Sequence, residues 1–363
     1  MGGVTIYRVA EHAAVSIASV SRVVHGQPGV SAETRRRIQA SMRELGYVPN
    51  DAAQGLAGRR HGVVGLVFAD LDDPSEEAGH ESLLYSDEII RGAERAARAH
   101  GHSVLLVATH AEGSRDRLIS LVGKMDALVI LAGSVPTADI RLLSRLVPVA
   151  LLAAERRVGA VDQVRADNAA GMRAVVDHLI SGHGFGDLAF IGGPEASPDA
   201  KARFRGYQAA RLGAGLAPAP RPDVTEDFTE RGGRQALRRL LSRRAHPPRA
   251  IVASNDQMAV GAIGALTAKG LRVPDDVAVT GFDDIQLARL LTPGLTTVHQ
   301  PMRQLGQECV HALLARIGNP DAEPANVLLP THLVVRTSCG CPPSGPSSDT
   351  RVDVPAHEET PHG

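Results

Sequence analysis

The sequence predicts an all-α head carrying a helix-turn-helix, joined by a short connector to an α/β body of two doubly wound lobes built on parallel sheets. Three observations carry this reading. Two short apolar-striped segments lie inside Val4 to Gly26, VTIYRVAEHAAVSIASVSRVVHG. From His61 onward, short apolar runs alternate with amphipathic stretches, the pattern of parallel sheets covered on both faces. This series occurs twice, so two such layers are expected with a cleft between them. The 363 residues are also more than one core usually takes.

Thr5 is placed to cap a first helix running to Ala13, whose Ile6, Val9, Ala10 and Ala13 fall at i, i+3, i+4 and i+7 and form one stripe. Ala14 and Val15 make the turn. Ser16 caps a second helix, Ile17 to Val24, in which Val20, Val23 and Val24 face inward and Ile17, Ala18, Ser21 and Arg22 face out. An outward face that is small except for one arginine suits a DNA major groove, where a guanidinium bonds guanine O6 and N7 together. Ser31 opens a third helix, SAETRRRIQASMRELGY, with Ile38, Met42 and Leu45 on one side and Gly46 as terminator. From Met1 to Gly62 eight arginines stand against four acids, a net +4, and the chain total of −1 leaves −5 on the remainder. A basic head on a mildly acidic body is the distribution expected when only one end meets nucleic acid.

Asn50 to Gly58 is a helix candidate too short to hold alone in water. If it orders only beside its twin from a second subunit, its folding couples events in the body to DNA affinity. In the body, Val63–Asp70, Ser103–Thr109, Ala127–Gly133 and Val147–Ala153 read as one series of strands, with SDEIIRGAERAARAHG among the intervening helices. The second series is Asp187–Gly193, Ala250–Asp256 and Val277–Asp284, with helices over Asn168–Ile180, Lys201–Leu212, Arg231–Leu241 and Gln257–Lys269. Beyond Cys341 the sequence PPSGPSSDTRVDVPAHEETPHG is poor in large apolar residues and is expected to be disordered. It lacks leucine heptads, so nothing in it argues for a tetramer built through the tail.

Hydrophobic content of 43% and charged content of 22% are those of an ordinary globular protein. No apolar run approaches the roughly 18 residues of a membrane span, and no secretion signal is recognisable. A cytoplasmic location without membrane contact follows as the expectation. Three cysteines, Cys309, Cys339 and Cys341, form no even disulfide framework. The Cys339–Cys341 pair could hold a metal, yet no second pair lies at zinc-site spacing, so the reading favours two free thiols, with no metal or cofactor.

VTIYRVAEHAAVSIASVSRVV, then VSAETRRRIQ, then LGYVPNDAAQGLAG resemble the head and hinge of the lactose-repressor family of bacterial transcription regulators, and later matches extend the resemblance to about Arg336. The resemblance implies a homodimer that binds a pseudo-palindromic operator in double-stranded DNA under control of a small, sugar-like effector. Carried over position by position, Ile17, Ala18 and Arg22 meet base edges. Thr5, Tyr7, Ser16, Ser19, Ser21, His25, Thr34, Tyr47 and Asn50 hold phosphates, and Leu56 wedges into the minor groove. It also implies a periplasmic-binding-protein-like body whose chain crosses between lobes near Asp167, His299 and Pro330. The division is then a head over 1–48, a hinge helix and linker over 49–60, a body over 61–338 and a tail over 339–363. The first lobe takes about 61–166 and 299–328, the second about 167–298 and 329–338. One departure is Ala14, where the family usually has glycine, a strained choice if φ is positive.

Ligands of open α/β sheets bind beyond the carboxyl ends of strands. Asp70, Asn255 and Asp256, and Asp283 and Asp284 stand at such ends. Carboxylate, amide and guanidinium groups there would orient several donors and acceptors of a polyol at once. By the resemblance, Arg203 in AKARFRGY, Asn255 in SNDQMAVGA, Asp283 in GFDD and Phe228 in TEDFTERGG join Asp70 around the effector. Asp256 reads equally as a helix cap, and Asp284 as a backbone ligand. Two departures stand out. LLAAER places Ala153 and Ala154 where many relatives carry aspartate, with Glu155 the nearest acid. The connection DLDDPSEEAGHESLLYSDEIIRG is about ten residues longer than usual, and its Glu77, His80 and Glu81 read as a solvated loop.

Two other classes were weighed. A soluble solute-binding protein with the same two-lobed body is opposed by the head and by the missing secretion signal. An enzyme is opposed by the lack of a G-x-S-x-G elbow, phosphate loop or H-E-x-x-H motif.

Overall fold

A computed structural model describes residues 4–24, 27–47, 61–69, 79–109, 114–343 and 351–353. The chain divides into two compact units, Met1–His61 and Gly62–Gly363.

In the first unit α1 (Ile6–His12), α2 (Ile17–Val24) and α3 (Ala32–Leu45) close around Val9, Ala10, Ala13, Val20, Val23 and Ile38. Ser16 Oγ accepts the Ser19 N–H at the start of α2, and Ser31 Oγ accepts the Thr34 N–H at the start of α3. Gly46 ends α3 in the left-handed region, φ 63°. Thr5 occupies the cap position of α1, but its side chain makes no capping bond, which corrects the cap expected there. Ala14 does adopt φ 49°, so the turn between α1 and α2 carries a left-handed alanine.

The second unit begins with β1 (Val63–Ala69), α4 (Gly79–Ala99), β2 (Ser103–Thr109), α5 (Ser114–Val122), β3 (Ala127–Leu131), α6 (Thr137–Leu143), β4 (Val149–Leu152) and β5 (Asp162–Ala166). The helix α4 starts at Gly79, so part of the stretch read as a long connection is helical. Next come α7 (Asn168–Asp177), β6 (Leu188–Gly192), α8 (Pro198–Gly213), β7 (Val224–Thr225), α9 (Glu230–Ser242), β8 (Ala250–Ala253), α10 (Asp256–Thr267), β9 (Ala278–Thr280) and α11 (Gln286–Leu290). The chain closes with β10 (Thr297–His299), α12 (Met302–Gly318), β11 (Asn326–Leu329), β12 (His332–Val334) and β13 (Arg351–Asp353).

A six-stranded sheet runs β11-β5-β4-β3-β1-β2 and a four-stranded one β7-β6-β8-β9, with every pairing in both parallel. Alternation within strands divides each core in two. Val64, Leu66 and Phe68 of β1 pack with Ile89 of α4 and Leu305 and Leu313 of α12, whereas Val67 joins Leu118 of α5 and Ile140 and Leu143 of α6. In the second sheet Ile191 faces α9 and α10, while Leu188 and Phe190 face Val175 and Val176 of α7 and Tyr207 of α8. The chain leaves the first sheet after β5, returns through α12 and β11, and leaves again into β12. At these passages Asp167 N–H donates to Leu329 O (2.9 Å), Thr331 Oγ1 donates to Asp167 O (2.9 Å), and His299 stands opposite His332 in the antiparallel β10–β12 pair.

The expected disorder from Cys339 onward does not hold for its first residues. Cys339 is fully buried in the second lobe, and Arg351–Asp353 pairs with β12. A short apolar chain end is enough here because the core of α7 and β6 receives it.

Candidate functional site

Two surfaces carry the residues singled out by sequence. On the head, α2 buries Val20 and Val23 and exposes Ile17, Ala18 and Arg22. Tyr7 on α1 is 67% exposed and so is open to a partner. Ser16 and Ser19 hydroxyls lie 2.9 Å apart at the start of α2, Ser21 is half-buried, and the Thr34 hydroxyl bonds Ser31. Tyr47 packs against the head core. His25, Asn50 and Leu56 lie outside the described residues.

The body holds a cavity of about 190 Å³ between the two large sheets. Tyr85 and Ser86 of α4, with Leu131, Ala132 and Ala153 beyond β3 and β4, line it from the first lobe. Ser197, Asp199 and Arg203 of α8, Asp227 to Thr229, Asn255, Gln257 and Asp283 line it from the second. Both sets stand at the carboxyl ends of strands or the helix starts that follow. Arg203, Phe228, Asn255 and Asp283 are thus gathered around one space, and Asp70 lies outside the described residues.

Arg203 is its hub. Ser197 caps α8 with Pro198 in its first turn, and one turn on this start sends the Arg203 guanidinium, 2% exposed, into the cavity wall. Its Nε donates to Asn168 Oδ1 (2.7 Å), Nη1 to Ser254 O (2.7 Å) and Nη2 to Asp283 Oδ1 (2.9 Å), and it lies 3.9 Å above the Phe282 ring. Asn168 Nδ2 in turn donates to Asp199 Oδ1 (2.9 Å). Burial pushes the Asp199 and Asp283 carboxyls up to about 6, and Arg203 opposes this only in part. Asp199 keeps some exposure to the cavity. Tyr85 Oη is buried nearby without a hydrogen-bond partner of good geometry among the described residues.

The other candidate residues take different roles. Asn255 is the cap of α10: its Oδ1 accepts the Met258 N–H (3.0 Å) and its Nδ2 donates to Phe228 O (2.9 Å), so it also braces Phe228. Phe228 is held at φ 72°, its ring over Gly193, where any side chain would collide with it. Asp256 does not cap α10; it is an internal strut accepting from the Ile285 N–H and the Thr297 hydroxyl. Asp284 binds side chains, Arg336 (2.6 Å) and His299 (3.1 Å), which hold its carboxyl below the usual range. Ala153 has φ 63°, and Glu155 beyond it ion-pairs with Arg205 of α8 across the lobes.

Sequence reading missed Asp199, Asn168 and Tyr85. Asp199 lies ahead of Lys201, where its helix was expected to begin, though the helix in fact starts at Pro198; Asn168 reads as the opening of a helix and Tyr85 as part of a loop. Only the folded juxtaposition of α4, α7 and α8 joins them.

Residues 5–50 match the model for bacterial regulatory proteins of the lacI family, and residues 176–339 match that for a periplasmic binding protein-like domain. The ribose operon repressor of Escherichia coli (strain K12) is 33% identical over 92% of this chain and 99% of its own. Catabolite control protein A of Priestia megaterium is 31% identical over 92% and 99%. The structure of the lac repressor dimer bound to operator and the anti-inducer ONPF superposes with a TM-score of 0.80 at 30% identity, covering 93% of this chain and 99% of that one. With an exposed reading helix, a two-lobed body and relatives matched nearly end to end, the chain belongs to the lacI family of bacterial regulatory proteins.

Proposed function

We propose that this protein is a cytoplasmic, homodimeric repressor whose affinity for a pseudo-palindromic operator is set by a monosaccharide-sized effector held between the lobes. The observation that carries the effector half is the buried Arg203–Asn168–Asp199–Asp283 cluster walling a small cavity. Alternating fixed donors and acceptors suit the vicinal hydroxyls of a sugar, and the Phe228 ring offers an apolar face for its C–H side. The ribose operon repressor among the relatives agrees with a small sugar.

In the head, Ile17, Ala18 and Arg22 read bases, and Thr5, Tyr7, Ser16, Ser19, Ser21, His25, Thr34, Tyr47 and Asn50 anchor phosphates. Residues 1–48 act as the reader, 49–60 as a coupler whose paired Leu56 side chains open a central step, and 61–338 as the ligand-bearing, dimerising body. Effector binding selects one lobe arrangement, and its preference between arrangements limits the change in DNA affinity.

Selection of bound sequences from random duplexes, followed by a sugar screen on the selected site, tests both halves. A two-fold-symmetric motif and a sugar that shifts its binding are expected. A protein that enriches no sequence, or whose DNA binding is blind to every sugar that it binds, would overturn the proposal.

A further inference from the structure

The two thiols at the end of the second lobe have partners that spacing along the chain does not reveal. After α7 the helix widens into a π-helical turn, His178–Gly182, which carries His178 and His183 onto one side. Facing them, Cys339 and Cys341 flank Gly340, whose φ of 101° reverses the chain so that both sulfurs approach the same point. The separations are His178 Nε2 to His183 Nε2 3.3 Å, Cys339 Sγ to His178 Nε2 3.5 Å, Cys341 Sγ to His178 Nε2 3.6 Å and Cys341 Sγ to His183 Nε2 3.4 Å. All four atoms lie within 4.8 Å of one another.

A tetrahedron with metal–sulfur bonds of about 2.3 Å and metal–nitrogen bonds of about 2.0 Å has edges of roughly 3.3 Å (N to N), 3.5 Å (S to N) and 3.8 Å (S to S). The N–N distance and three of the four S–N distances fall on those edges, and the remaining pairs lie within 4.8 Å. Hydrogen bonding alone explains the cluster poorly. His178 Nε2 meets three polar atoms at 3.3–3.6 Å, yet an imidazole nitrogen has one proton or one lone pair to give. We propose that His178, His183, Cys339 and Cys341 form a tetrahedral site for one zinc-class divalent ion, pinning the chain end to the end of α7.

The surroundings agree. Thr296 Oγ1 lies 3.1 Å from Cys339 Sγ, and the His183 ring stacks on Phe185, so outer contacts orient ligands from both segments. Two thiolates with two imidazoles favour zinc over magnesium or calcium, which take oxygen.

The test uses the full-length chain, reduced and purified from zinc-supplemented cells. Elemental analysis should find about one zinc per chain, and metal-stripped protein should take zinc from its chromogenic complex with 4-(2-pyridylazo)resorcinol. Cobalt(II) should give a thiolate-to-metal charge-transfer band. Cys341→Ser and His183→Gln, at partly buried positions chosen to spare the fold, should each weaken zinc retention by at least about tenfold, and Cys341→Ser should also weaken the cobalt band. Reduced wild-type protein that leaves zinc on the chromophore, or variants that keep zinc as well as wild type, would overturn the site. Neither outcome touches the operator or effector reading.

Discussion

Arg203 donates to the protein from Nε, Nη1 and Nη2, so its removal should do more than empty a binding contact. Arg203→Ala strands Asp283 and Asn168 in a dry wall, and a loss of about 3–5 kcal/mol is expected in urea unfolding, together with loss of the effector response. The acids beside it give a pH signature. Asp199 and Asp283 titrate near 6 in the fold against about 3.9 unfolded, so their protonated forms favour the folded state. That contribution is complete below about pH 4 and is lost as pH rises through about 6. The melting temperature of the ligand-free body should therefore fall between about pH 4 and 6, and Asp199→Asn should flatten the fall. A sugar hydroxyl donating to these carboxylates prefers them ionised, so effector affinity should rise over the same interval. On the head, Arg22→Ala should cost about 1–3 kcal/mol of specific binding and relax base choice at one position per half-site, read from the selected-sequence profile.

At the scale of elements, the α1–α2 turn stores strain at Ala14, whose φ of 49° suits glycine better. Ala14→Gly should stabilise the head by about 0.5–1 kcal/mol, seen as greater amide-exchange protection across α1 and α2. The capped helix α3 was among the most legible parts of the chain, because Ser31 and Gly46 are local signals that the fold keeps, whereas α8 was expected only from Lys201 and begins at Pro198 behind the Ser197 cap. Legible too were the apolar runs of β1, β3 and β6, which are largely buried, and of the edge strand β2, which is buried only in part. By contrast β5, DQVRA, escaped notice: Arg165 interrupts the apolar run, and Asp162 is buried only because Arg316 of α12 pairs with it. β7, β10 and β12 have two or three residues each, too few for a period to show. Within the cavity, residues on a recognisable motif were found. Those that matter through a partner distant in sequence, such as Asn168, were not.

For the molecule as a whole, the lobes meet at the cavity and at the Glu155–Arg205 ion pair on its rim. Arg205 is half-exposed, so Glu155→Gln should shift effector affinity by no more than about fivefold, as less than about 1 kcal/mol rests on such a pair. Isothermal titration would measure it. More consequential are the three strands of chain that pass between lobes. Asp167 is bonded to Leu329 and Thr331, and His332, next to Thr331, stands against His299. Stitched together, they tie the three passages into one unit, as the leaves of a door hinge share a pin, so a shift at one is felt at the other two. A guest that shifts the lobes then loads all three passages at once.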